Sequence, residues 1–191
     1  MTELVVPDPR ARERFPLGWW GVAMLVATEA ALFGMMVGAY FYLRFKALSW
    51  PPQGIPEPTL VVPLILLGVL LVSTVPMWLA AHSATPRRWL LLALLLQAGY
   101  FALEVHEFQD DLRHFTPQEH AYGSIYYTLL GADHGHVAVG LLLDAWLLWK
   151  LLHGMTRYRA NALRAIALYW YAVAVLTLIV TLTVLSPAFA R

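Results

Sequence analysis

Hydrophobic residues in this chain run in blocks longer than a soluble core needs, and the polar residues gather between them. Five blocks stand out: Trp19 to about Leu43, Leu60 to Ala81, Trp89 to about Val105, Tyr122 to about Leu152, and Leu163 to Leu185. A bilayer core is about 30 Å thick and takes about 20 apolar residues to cross as a helix. The third block is near the lower limit, and the fourth is long enough to tilt or to project beyond the bilayer. In lipid a helix satisfies its own backbone groups. The short alternating segments of a barrel are missing. The pattern predicts an all-α integral membrane protein, a bundle of five transmembrane helices forming one domain over residues 1–191.

The breakers fall where this scheme wants them. Pro51, Pro52, Gly54, Pro56 and Pro58 make a stiff, non-helical loop after the first block. Pro86 stands where a third helix can begin, at a position that tolerates a missing N–H. Asp110, Asp111, Pro117 and Glu119 are expected to form a polar loop before the fourth span. Pro63 and Pro76 lie in the second span, and Pro76 predicts a kink there.

Composition agrees: 60% of the residues are hydrophobic and 13% charged, where a soluble domain averages about a quarter charged. The net charge of +1 gives no reason to expect a nucleic-acid partner. The absence of cysteine excludes disulfides, thiolate metal sites and a cysteine nucleophile. No cleavable signal is expected, because the first eighteen residues are polar and the apolar stretch behind them is too long. Position matters more than net charge for topology. Arg10, Arg12, Arg14, Arg87, Arg88, Lys150, Arg157, Arg159 and Arg164 fall on one side, and Arg44, Lys46, Arg113 and Arg191 on the other. Nine against four puts the N-terminus in the cytoplasm and the C-terminus outside. Trp19, Trp20, Trp50, Trp89 and Trp149 near span ends fit an aromatic belt.

Ionisable residues inside a span are costly and need a partner or a wet cavity. Glu29 lies mid-span, either handling protons, touching a lipid headgroup, or protonated and hydrogen-bonded to a neighbouring helix. Tyr100, Glu104 and Glu107 recur at i, i+4 and i+7 and share a helix face, which could also be an ordinary solvated end. Asp133-His134-Gly135-His136 is the densest polar cluster. Its two histidines sit on nearly opposite faces, so a shared metal is disfavoured. Interhelical hydrogen bonding is the simpler use. A metal would need help from Glu29, Glu104 or His106. Asp144 requires pairing or a proton, while His82, His114, His120 and His153 fall near span ends, where solvation is the default. Gly34, Gly38, Gly68, Gly131, Gly135 and Gly140 suit close packing, with Gly34 to Gly38 matching GxxxG. Phosphate-binding glycine loops, a Ser–His–Asp arrangement and zinc-type His/Cys spacing are missing, so no catalytic centre is expected.

Several runs, taken in order, resemble one family: subunit III of the haem-copper respiratory oxidases. Gly18-Trp19-Trp20-Gly21 through Thr28-Glu29 to Ala39-Tyr40-Phe41 is similar to the helix carrying the family's intramembrane acid. Trp50-Pro51-Pro52-Gln53-Gly54-Ile55 resembles its Trp-Pro-Pro-x-Gly loop, the most specific of the matches. Ser73-Thr74, Ala81-His82-Ser83, Tyr100-Phe101, Glu107-Phe108, Tyr122-Gly123-Ser124, Gly131, His136-Val137, Gly140 and Tyr169-Trp170 follow the pattern. The chain resembles the five-span bacterial kind rather than the seven-span one. It departs at Asp133, where a histidine is usual, and at Tyr171 and Ala174, where His and Asp are common. The ending at Leu185-Ser186-Pro187-Ala188-Phe189 also differs.

The resemblance implies a subunit of the bacterial inner membrane with no redox centre and no metal of its own. Haem and copper belong to the partner catalytic subunit I, with subunit II, membrane lipids and a respiratory supercomplex as further partners. It implies bound phospholipid and support of proton uptake and active-site stability. Glu29, His82, Tyr100, Glu104, Glu107, Asp133, His136 and Trp170 are the candidate lipid, proton-network or subunit-contact positions. Three other readings are an accessory protein of a nitric oxide reductase, a membrane metalloenzyme using Glu29, Glu104, His106, Asp133 and His136, and a small transporter. The last lacks an evident repeat or paired broken helices.

Overall fold

A computed structural model describes residues 17–189, so Arg10, Arg12, Arg14 and Arg191 of the charge pattern lie outside the described residues. Five helices follow in order: α1 (Leu17–Lys46), α2 (Val61–His82), α3 (Pro86–His114), α4 (Ala121–Leu152) and α5 (Arg157–Leu185). All five are long and apolar enough to cross a membrane. Their packing follows from which neighbours touch: α2, α3, α4 and α5 close a four-helix ring, and α1 lies outside it against α4 and α5. Although consecutive, α1 and α2 do not pack on each other. The 47–60 connection therefore crosses the end of the bundle, and Trp50 wedges between Tyr40 and Tyr122 with ring centroids at 5.3 and 5.0 Å. Trp50 is thus a core contact more than a member of an aromatic belt; Trp20 and Trp149 are exposed.

Helices extend past the apolar blocks. Backbone hydrogen bonding continues wherever nearby groups support it, and α3 shows how. Asp110 and Asp111 belong to its last turns, not to a loop. Arg113 pairs with Asp110 at 3.4 Å, and the Tyr126 hydroxyl donates to Asp111 Oδ2 at 2.5 Å. The helix starts with Pro86 at its first turn, where the N–H it lacks is not needed. α2 runs unbroken through Pro76, and in the turn before it the Ser73 and Thr74 hydroxyls donate to the Leu70 and Leu71 carbonyls.

The bundle has a basic end, where Arg87 and Arg88 lie in the first turn of α3 and Arg157 and Arg159 in the first turn of α5, and an acidic end, where Glu107, Asp110, Asp111 and Glu119 gather. The glycines divide. Gly140 is pressed against Trp170. Gly34, Gly38, Gly68, Gly131 and Gly135 have open space where a Cβ would go, so the GxxxG face of α1 packs on nothing among the described residues.

Candidate functional site

Midway along α4, three neighbouring polar residues fan toward three different helices because successive residues turn about 100° around the axis. His136 faces α1, with Nε2 3.1 Å from Glu29 Oε2. His134 faces α3, with Nε2 3.8 Å from Glu104 Oε2. Asp133 faces α5, and its Oδ1 accepts a hydrogen bond from the Thr177 hydroxyl at 2.8 Å. The Glu29 carboxyl therefore faces protein rather than lipid.

The two imidazoles are held alike. His134 Nδ1 meets the Leu130 carbonyl at 2.5 Å and His136 Nδ1 meets the Ala132 carbonyl at 2.7 Å. A carbonyl only accepts, so Nδ1 carries a hydrogen in both and Nε2 points at the carboxyl. A bare Nε2 facing a carboxylate oxygen sets lone pair against lone pair. Each Glu–His pair is attractive only when one proton lies on the carboxyl or on Nε2.

Tyr100 lies near Glu104, which is on the same helix, and near Thr177 of α5. Tyr100, Thr177 and Asp133 are all buried. Toward the acidic end a cavity of about 80 Å³ opens among α2, α3, α4 and α5. Glu104, Glu107, Asp111, Tyr126 and His134 line it, and Pro58 and Thr59 border it at the helix ends. Glu107 is half-exposed, with His106 Nδ1 at 3.9 Å.

A second polar group lies closer to the basic end. Gln97 and Asp144 are fully buried, and the Gln97 amide nitrogen donates to Asp144 Oδ2 at 2.8 Å and to the Ala93 carbonyl at 3.1 Å. Trp170, also fully buried, lies near Asp144. His82 stands apart from both groups. It is exposed at the end of α2, stacked on Trp78 at 4.8 Å, with Nδ1 on the Trp78 carbonyl at 2.8 Å.

Of the eight candidate positions, then, Glu29, Tyr100, Glu104, Asp133 and His136 come together at mid-bundle, Glu107 lies at the cavity wall, Trp170 belongs to the deeper group and His82 to neither. The donors suggested for a metalloenzyme separate into pairs on different faces of α4, and exposed His106 is not among them. Among the described residues no three His, Cys, Asp or Glu side chains converge on a metal position.

The order of these groups along the chain can be set against known proteins. The family model described as Cytochrome c oxidase subunit III matches residues 17–186, nearly the whole chain. The chain belongs to that family. Cytochrome c oxidase subunit 3 of Bacillus subtilis (strain 168) is 29% identical over 163 residues, covering 81% of this chain and 77% of the relative. The protein of the same name from Petromyzon marinus is 29% identical over 178 residues, covering 86% of this chain and 67% of the relative. A Heme-copper oxidase subunit I+III of Aeropyrum pernix is also 29% identical, over 177 residues that cover 85% of this chain and 21% of the much longer relative. Membership carries the role of subunit III of a haem-copper oxidase. Such a subunit is a multi-pass inner-membrane protein that associates with the other oxidase subunits.

Sequence reasoning overlooked Thr177 and Gln97. Thr177 has no distinguishing signal among the threonines of α5. Gln97 did offer one, as an amide directly after the apolar run Leu94-Leu95-Leu96 in mid-span. His134 was noticed but assigned no partner of its own; the fanning of residues 133, 134 and 136 supplies Glu104.

Proposed function

We propose that this chain is the non-catalytic supporting subunit of its oxidase, packing on the catalytic subunit I with subunit II in the same complex. The N-terminus lies in the cytoplasm, and the acidic end of the bundle faces outward. The haems and copper reside in the partner, where reduction of O₂ takes place. The chain holds phospholipid and supports proton uptake and the stability of the partner's active site; a larger respiratory supercomplex is a further setting for it.

The observation that carries this reading is the state of α1. Among its 30 residues only Phe33 and Tyr40 are buried. An apolar groove of about 460 Å³ runs between α1 and α5, lined by Val26, Ala30, Gly34, Val37 and Ile179 among others. Such a surface is satisfied by acyl chains or by another protein's helix, the setting in which a lone bundle becomes part of a complex.

The test is to tag the chain, solubilise membranes in mild detergent, and record the reduced-minus-oxidised spectrum and lipid content of what co-purifies. Haem bands in stoichiometric amount, O₂ consumption and retained phospholipid are expected. A colourless, monomeric preparation in several mild detergents would overturn the reading.

A further inference from the structure

The basic end of the bundle holds a cavity of its own, with a volume of about 360 Å³, between the start of α3 and the end of α4. Thr85, Arg87 and Arg88 form one wall, and Leu151 and Met155 the other. The connection that carries Met155 is pinned. The Arg159 guanidinium donates to the Gly154 carbonyl at 2.5 Å, and the Thr156 hydroxyl oxygen accepts from the Arg159 backbone N–H at 3.2 Å. Arg87 and Arg88 are not engaged in this way. Both are exposed, and neither has a hydrogen-bond or ion-pair partner among the described residues.

Positive charge at this end is not balanced locally. Lys150, Arg157, Arg159 and Arg164 lie there as well. The nearest described carboxyl along the chain, Asp144, is fully buried deeper in α4. Two free guanidiniums on successive residues suit an anionic group, whose oxygens their planar forks bind two at a time. Apolar surface continues from them toward the middle of the bilayer. Leu91 follows Arg87 by four positions, and Leu92 and Leu95 follow Arg88 by four and seven, so each leucine lies below its arginine on one face of α3. All three leucines are exposed. A ligand that meets both features has a negative head and a hydrocarbon tail; an acidic protein segment would answer the arginines but not the leucines.

We propose that this cavity binds the headgroup of an anionic phospholipid of the cytoplasmic leaflet, with Arg87 and Arg88 on its phosphate and its acyl chains along Leu91, Leu92 and Leu95. Basic pockets between transmembrane helices on the cytoplasmic side bind such headgroups. The site is separate from the α1–α5 groove, whose lining carries no charged residue and so selects no headgroup. It rests on the reading of the chain as a phospholipid-holding subunit with its basic end in the cytoplasm, and adds to that reading a place and a choice of lipid.

The experiment uses the purified oxidase complex, stripped of lipid in mild detergent and titrated with phosphatidylglycerol or phosphatidylcholine while bound lipids are counted by native mass spectrometry. One phosphatidylglycerol is expected to bind the wild type and to bind the double variant Arg87→Gln, Arg88→Gln about 30-fold more weakly, the loss of two arginines beside an anionic headgroup. Phosphatidylcholine is expected to bind both alike. Arg157→Gln, which removes a charge from the same end but not from the cavity, is expected to keep the wild-type affinity for phosphatidylglycerol. Should the double variant fail to assemble, Arg87→Gln and Arg88→Gln singly are each expected to lose about 5-fold. Equal phosphatidylglycerol binding by the wild type and the assembled variants would overturn the site, and is the result to expect if an acidic segment of a neighbouring subunit covers these arginines instead. An equal loss in Arg157→Gln would overturn it too, because the lipid would then be held by the charge of the whole end. A complex that binds phosphatidylcholine but shows no preference for phosphatidylglycerol loses this site alone, whereas one that binds neither loses the phospholipid reading with it.

Discussion

Trp170 occupies the space that a side chain at position 140 would need. A Cβ added to Gly140 would meet Trp170 Cζ2 at 2.6 Å and Cε2 at 2.9 Å. The indole is fully buried between α4 and α5, so it has little freedom to retreat. Overpacking of this kind costs about 1–3 kcal/mol. Gly140→Ala is therefore expected to lower stability by that amount in a detergent-denaturation titration. Gly131→Ala, on the same helix with open space around it, is the control and is expected to be near neutral.

A second close approach lies at the acidic end. A Cβ at Gly123 would meet the Thr116 carbonyl oxygen at 2.5 Å, and nearby the Ser124 hydroxyl donates to the Pro117 carbonyl and the Tyr127 hydroxyl to the Phe115 carbonyl. These contacts clamp the α3–α4 connection onto the first turns of α4. Gly123→Ala is expected to loosen that connection and speed its cleavage by an added protease, with the five helices still formed by circular dichroism. Cleavage at the wild-type rate would count against the clamp.

The Glu29–His136 pair joins α1 to the ring, and its strength is measurable by a double-mutant cycle. Interhelical polar contacts of this kind contribute about 0.6 kcal/mol on average and up to about 1.7 kcal/mol. Glu29→Gln and His136→Gln, singly and together, are expected to show a coupling inside that range. A coupling indistinguishable from zero would mean that the 3.1 Å contact does not hold α1 in place.

Gln97 and Asp144 are hydrogen-bonded to each other at the deeper level. Removing one partner strands the other, which costs about 1–3 kcal/mol, whereas replacing both by apolar groups can be nearly neutral. Asp144→Leu is accordingly expected to destabilise, and Gln97→Leu added to it to restore much of the loss. Additive effects of the two changes in the same titration would show that the pair is not a unit.

Helix number and approximate placement were legible because long apolar blocks admit one structure in lipid. Their ends were less so. Asp110 and Asp111 looked like loop residues, yet Arg113 and Tyr126 give them partners and α3 carries on through them. GxxxG on α1 reads as a contact face, but small residues permit close approach without dictating which helix supplies it, and here none of the other four described helices does. The central cluster was visible as a dense polar run in α4. Its division into separate contacts was only half visible, because spacing separates 134 from 136 but cannot say that Glu29, Glu104 and Thr177 are the groups opposite. That pairing depends on how α1, α3 and α5 are arranged around α4, which no local pattern encodes.

The position of α1 outside the ring reverses the usual relation between the order of synthesis and the order of assembly. α1 is the first of the five helices to leave the ribosome, yet the helices it touches, α4 and α5, are the last. It must wait in the membrane while α2 and α3 are threaded beside it without holding it, and it finds its seat only when the rest of the chain has been made. Until then its midpoint carboxyl has no histidine to face. An insertase or a neighbouring subunit that shelters α1 during that interval would act on this one helix, and a lesion in α4 around His136 would show itself first as an N-terminal span that never docks.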